Sequence, residues 1–201
     1  PPADAKSSYR RAGLAKWLTD VDHGAGQLVA RVIVNRLWKH HFGRGLVATT
    51  NDFGLQGERP SHPELLDALA LNLIRRGWRL KELQRLMMSS STYRQSSADD
   101  LQDRQRDPQN QWLWRFQPRR LEAEAIRDCM LAVSGQLDRT SFGPGTLDQG
   151  SRRRSIYFTI KRSKLIPMLQ IFDAPEPLAS TGERPATTIA PQALLFMNDP
   201  R

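Results

Sequence analysis

The sequence predicts a mainly α fold, an irregular orthogonal helical bundle with long loops and at most a small β element near residues 155–160. Three observations predict it. SHPELLDALALNLIRRGW sets Leu65, Leu66, Leu69, Leu73 and Ile74 at helical spacing. A second amphipathic run, Gln27 to His41, precedes it. Glycine and proline breaks separate such runs and thicken after Gly135, and no internal repeat is evident.

Taken in order, Tyr9 to Thr19 reads as a first helix with Leu14, Trp17 and Leu18 on its apolar side. The glycines of DHGAG end it before the Gln27–His41 helix. Phe42 to Gly57, with four glycines at 43, 45, 54 and 57, is a loop that carries Asn51 and Asp52 toward that helix. Ser61 and Glu64 match a capping box at the start of the third helix, with His62 part of the cap, and Gly77 ends it. LKELQRLMMSS supplies a fourth, its methionines serving as packing. Residues 95–111 are polar and read as an exposed connection. Trp112 and Trp114 either anchor that loop to the core or form an aromatic platform for sugars. A helix over Arg119 to Gly135 follows, with Pro118 near its start.

Beyond it, SIYFTI reads as a short strand-like piece, Lys164 to Phe172 as a short helix and Pro191 to Met197 as a last one. Six of the thirteen prolines, at 167, 175, 177, 185, 191 and 200, fall in this region. Residues 1–135 are therefore read as a helical core gathering Leu28, Ile33, Leu65, Leu69, Leu73, Leu83 and Ile126. Residues 136–201 are read as a loop-rich, proline-rich extension packing on it. The opening PPADAKSSYRRAG has neither an initiating Met nor a signal-peptide core, which reads as one domain excised from a longer chain.

Composition sets the bounds. At 201 residues with 39% hydrophobic content and five Trp, the chain can bury a real core. No apolar run approaches the roughly 20 residues that span a bilayer. One cysteine, Cys129, excludes an intramolecular disulfide and a cysteine-based zinc site, and its place on an apolar arc reads as core filler. The net charge of +9 permits a polyanionic partner. That excess clusters in SRRRSIYFTIKRSK, residues 151–164, with six basic groups and no acid. Basic groups around aromatics suit acidic polysaccharide, single-stranded nucleic acid or a solvated edge. None of the common nucleic-acid-binding signatures occurs, which ranks nucleic acid last.

Two helices carry polar residues where the pattern asks for apolar ones. With Leu28 as zero and about 100° per residue, Arg36 and His40 fall in the middle of the arc formed by Leu28, Val29, Val32, Ile33 and Leu37. On the Arg119–Gly135 helix, Glu122 falls inside the arc of Leu121, Ala125, Ile126, Cys129, Ala132 and Val133. A desolvated, unpaired guanidinium costs several kcal/mol, so Arg36 needs an anion or several acceptors. Either the three form structural pairs and caps, or Glu122 faces Arg36 or His40 as an acid/base pair. His40 and His41 point about 100° apart and suit no shared metal. No metal site is read from the sequence. Asp173, Glu176, Arg184, Thr187 and Thr188 lie in loop-like sequence, where functional residues often occur.

The order VNRLWKHHFGRGLV, NDFG, HPELLDALA, LKELQRLMMSSSTYRQSS, RRLEAEAIRD, LAVSGQLD, RRSIY, FDAPEP and TTIAPQALLFMN closely resembles the planctomycete-associated domain of unknown function 1553. The resemblance covers nearly the whole chain. It implies an exported, multidomain bacterial protein, an extracytoplasmic setting, and upstream domains of the same polypeptide as partners. It also implies a c-type haem in a separate upstream domain. This chain lacks CxxCH and is read as holding no cofactor of its own.

Two classes of function stand open, with a nucleic-acid binder third. One is a non-catalytic structural or binding module for an acidic glycan or a partner domain, with Arg36, Arg120, Arg184, Arg153, Arg154 and Lys161 as candidate binding residues. The other is the catalytic half of a carbohydrate-active hydrolase or lyase. There His40 or Glu122 is the acid/base, Asp52 or Asp173 the second carboxylate, and Arg36 or Arg184 holds an anionic group.

Overall fold

The computed structural model describes residues 8–178 and 181–198. The PPADAKS opening, residues 179–180 of the proline-rich stretch and residues 199–201, Pro200 among them, lie outside the described residues. The described residues form nine α-helices and pair as β structure only at isolated bridges, so the fold is mainly α. They divide into two compact units, one ending at Pro118 and the other beginning at Arg119.

The first unit holds α1 (Arg10–Thr19), α2 (Gly26–Phe42), α3 (Pro63–Arg75), α4 (Leu80–Ser89), α5 (Ser91–Arg94) and α6 (Leu101–Arg106). Its core is the α2 ridge Ala30, Val34, Trp38 and Phe42 against Leu66, Leu69, Ala70 and Leu73 of α3, with Leu83 and Met87 of α4. Each fully buried Leu contributes roughly 1.5–3 kcal/mol. Residues four apart form a ridge that slants across a helix, and Gly26 and Ala30 allow close approach where it begins. The buried face is therefore not the one centred on Leu28. Leu28 is 51% exposed, and Arg36 and His40 are exposed too. A wheel weighted by large apolar residues misses a seam that starts on small ones.

The α3 stripe packs as its spacing predicts, with Leu65 and Ile74 flanking the buried leucines. Its start differs. Pro63 occupies the first turn and no side chain caps the helix. Ser61 instead turns its hydroxyl to the Leu46 carbonyl (3.3 Å) and His62 Nδ1 (3.0 Å). Gly77 ends the helix at a φ of 65°, and Trp78 N–H returns to the Leu73 carbonyl at 2.9 Å. On α1, no residue is buried, so Leu14, Trp17 and Leu18 do not supply a core face. The 95–111 connection contains α6, capped by Asp100, and two buried polar residues, Asp107 and Asn110.

The second unit holds α7 (Ala123–Val133), a 3-10 turn (Ser155–Tyr157), α8 (Pro167–Ile171) and α9 (Ala190–Asn198). Ala123, Phe158, Ile166, Met168, Leu169 and Phe172 form its core. Ile126, expected with Leu28 and Leu65, packs here. The helix starts later than predicted, and its buried residues are Ala123, Arg127 and Leu131. Glu122 is its N-cap residue and is exposed, as are Leu121, Cys129 and Val133 from the predicted arc. Cys129 thus fills no core. SIYFTI opens as the 3-10 turn, and Phe158 pairs with Thr146 at one bridge.

Candidate functional site

In the first unit, Arg36 Nη2 donates to Asn51 Oδ1 at 3.4 Å on the exposed side of α2. The loop does carry Asn51 to that helix. Asp52, by contrast, organises its own turn. Its Oδ1 accepts from Gly54 N–H at 2.7 Å, and its carbonyl accepts from Thr49 Oγ1 at 2.9 Å. A Cβ on Gly57 would lie 2.2 Å from that carbonyl, so the turn closes only around glycine.

In the second unit, four of the residues singled out from sequence pair off. Arg120 lies 3.8 Å from Asp173, and Arg184 lies 3.4 Å from Glu122 and 2.7 Å from Glu124. Asp173 also accepts from Thr187 N–H (2.7 Å) and Oγ1 (2.8 Å). The Thr187 backbone and hydroxyl hydrogen bonds, aided by the Arg120 charge, hold the Asp173 carboxyl below its ordinary value of 3.8. Burial opposes the Arg184 charge, but the Glu124 hydrogen bond and the charges of Glu124 and Glu122 outweigh it and raise its pKa. Asp173 has a φ of 62°, a left-handed conformation that Asp tolerates better than most residues. These contacts tie Asp173, Arg184 and Thr187 to the start of α7.

Arg127 carried no sequence signal, yet its side chain is 1% exposed. Its Nη1 donates to the Arg153 carbonyl (3.0 Å) and Ser155 Oγ (3.2 Å), and its Nη2 donates to the Ser151 carbonyl. The guanidinium stacks over Phe158 with its carbon 4.5 Å from the ring centroid. Next to it, Asp128 Oδ1 accepts from Ser155 N–H and Oγ, both at 2.7 Å. The basic segment is thereby anchored at its base. Arg153 is part of the anchorage as well. It donates to the carbonyls of Thr140, Phe142 and Pro144 and stacks on Tyr157. Arg152, Arg154, Lys161, Arg162 and Lys164 stay exposed.

A groove of about 150 Å³ also opens in the first unit. Arg44, Glu58, Arg59, Ser61, His62 and Gln111 are among its lining residues. Trp112 meets His62 edge to face, with ring centroids 5.3 Å apart. The platform reading of Trp112 points toward this region, whereas the glycine-flanked Arg44 and the Glu58–Arg59 pair before proline draw no reading from sequence. Among the described residues, no three His, Cys, Asp or Glu side chains gather as a metal site, and no helix is long and apolar enough to cross a membrane.

The family model described as PSD1, protein of unknown function (DUF1553), matches residues 10–201. The chain belongs to the PSD1 family. The match spans both units of this PSD1 chain. No curated protein and no solved structure matches it.

Proposed function

We propose that this PSD1 chain is a non-catalytic binding module that holds an acidic glycan on the basic segment of its second unit. The observation that carries this reading is that Arg127 holds Ser151, Arg153, Ser155 and Phe158 in place. Beside them Arg152 and Arg154 are exposed, the latter 3.6 Å from Asp128, with Lys161, Arg162 and Lys164 exposed further along. Fixed cations bind a polyanion at lower entropic cost than cations on a mobile loop. Ile156 and Ile160 are exposed between them, giving apolar contact alongside the charges.

The arrangement of the candidate acids favours binding over catalysis. Asp173 and Glu122 are engaged with Arg120 and Arg184, and Asp52 with its own turn. A carboxylate whose pKa is held below its ordinary value, as that of Asp173 is, makes a weak general base. An extracytoplasmic setting with further domains of the same polypeptide fits this reading, because acidic polysaccharides are met there.

The test is calorimetric binding of polygalacturonate, with neutral amylose and single-stranded DNA as comparisons. The combined variant Arg154→Ala, Lys161→Ala and Arg162→Ala should lose about tenfold or more in polygalacturonate affinity. Unchanged affinity, or a preference for DNA with a steep salt dependence, would overturn the reading.

A further inference from the structure

The groove of the first unit supports a second and separate site. One wall is built before any ligand arrives. The buried Asp107 carboxylate accepts from Gln111 N–H at 2.9 Å and Trp112 N–H at 2.7 Å, and its carbonyl accepts from Trp114 Nε1 at 3.1 Å. The side chain of Asn110, also buried, bonds both the carbonyl and the N–H of Arg115. Between these braces the backbone is left-handed at two non-glycine residues, Asn110 (φ 51°) and Leu113 (φ 56°). Strain of this kind, roughly 1–3 kcal/mol per residue, persists where the surroundings impose it and clusters at ligand clamps.

The chemistry displayed on this frame is specific. Arg44 is positioned by Gln109 Oε1 at 3.0 Å and has Glu58 4.0 Å away, yet its side chain remains half exposed. With Arg59 it gives the groove two guanidinium groups against one carboxylate. Ser61 fixes the His62 ring through Nδ1, leaving Nε2 as the second polar atom of that ring. Trp112, against the His62 edge, is 68% exposed although its backbone is pinned by Asp107. Trp112 does not line the groove itself but stands beside it through its contact with the lining residue His62. An exposed indole at such a rim suits the face of a sugar ring, which offers C–H groups to the aromatic face and hydroxyls at its edge. The volume of about 150 Å³ is below the roughly 300–1,000 Å³ of clefts for drug-sized ligands, so it suits one ring.

We propose that this groove binds a single acidic sugar residue, a hexuronate. The Arg44 and Arg59 guanidinium groups pair with its carboxylate, Ser61, His62 and Gln111 meet its hydroxyls, and Trp112 stacks on its ring. Planar guanidinium groups match a carboxylate in two-point contact, which gives selectivity over the neutral sugar. The residues and the unit differ from those of the basic segment, so either proposal can fail alone.

The test is an NMR titration of the whole chain with galacturonate and with galactose. Galacturonate should produce saturable shifts at the Trp112 indole N–H and the Ser61 and His62 amides, with galactose about tenfold weaker. Trp112→Ala and Arg59→Ala should each weaken galacturonate about tenfold, with the remaining spectrum unchanged as evidence of folding. The Arg154→Ala, Lys161→Ala, Arg162→Ala variant should bind it like the parent chain. Absence of saturable shifts at tens of millimolar sugar, equal affinity for galactose, or shifts confined to the second unit would each overturn the proposal.

Discussion

The side chain of Asn35 pairs with the backbone of Val47 at both ends. Its Nδ2 donates to the Val47 carbonyl at 2.9 Å, and its Oδ1 accepts from Val47 N–H at 2.8 Å. Asn35 is fully buried, so the pair satisfies two backbone groups that no water reaches. It fixes the loop after α2 to the helix itself and sets the turn that carries Arg44 into the groove. Asn35→Ala should cost about 2–4 kcal/mol, because it leaves a buried donor and acceptor unpaired. Asn35→Asp keeps the acceptor but sets a carboxylate against a carbonyl in the core. Burial raises the folded pKa of that carboxyl, so its penalty should shrink as pH falls and the acid becomes a donor. Urea unfolding at neutral and acid pH checks both. A neutral effect of Asn35→Ala would deny the clamp its role.

Gly45 sits inside the same clamp. A Cβ there would lie 2.5 Å from the Val47 carbonyl and 2.9 Å from the Asn35 amide. Gly45→Ala should therefore destabilise by about 1–3 kcal/mol through overpacking, and it should also weaken galacturonate binding by displacing Arg44. The control is Gly43→Ala, where the added Cβ meets no atom within 4 Å but the φ of 87° is strained. That variant should lose stability while leaving the Asn35–Val47 resonances in place.

The sequence made α3 readable because its leucine stripe and Gly77 agree, although the capping box read at Ser61 and Glu64 does not form. It made α2 readable as a helix but not in its facing. Gly26 and Ala30 start the seam, and small residues add little to an apolar pattern although they permit the closest packing. Asn35 and Arg127 were invisible for another reason. Each is a polar residue buried against backbone groups of a separate segment, Val47 for one and Ser151 and Arg153 for the other. Glu122, Asp173, Arg120 and Arg184 were picked out from pattern and loop placement, and they pair within one unit. Their partners follow from Asp173 and Arg184 lying against the start of α7, which no local periodicity encodes.

Arg127 makes a sharp prediction about the basic segment. Arg127→Met keeps volume but leaves the carbonyls of Ser151 and Arg153 without their buried donor, at a cost of about 2–5 kcal/mol. Arg127→Lys should not rescue, because one ammonium cannot reproduce a planar fork reaching separate acceptors. Denaturant unfolding reads the stability, and limited trypsin digestion should cut faster at Arg152 and Arg154. Polygalacturonate affinity should fall with it. Full affinity in a loosened segment would separate the charges from their anchorage.

Asp173 supplies a pH prediction with a definite sign. Hydrogen bonds from Thr187 N–H and Oγ1, with the Arg120 charge behind them, depress its folded pKa. A depressed carboxyl contributes stability above its unfolded pKa, near the ordinary 3.8, and that contribution is lost as pH falls through the folded value. The second unit should therefore weaken in acid, starting below about pH 5. Asp173→Asn is the informative variant, since Asn tolerates the φ of 62° and so preserves the backbone. It should flatten the acid limb of the unfolding midpoint, whereas Thr187→Val, which keeps the N–H donor, should flatten it only in part. A carboxyl carbon titration of Asp173 by NMR reads the same shift directly. An ordinary carboxylate midpoint there, or an unchanged acid limb in Asp173→Asn, would remove this aspartate from the ties that join Thr187 to the start of α7.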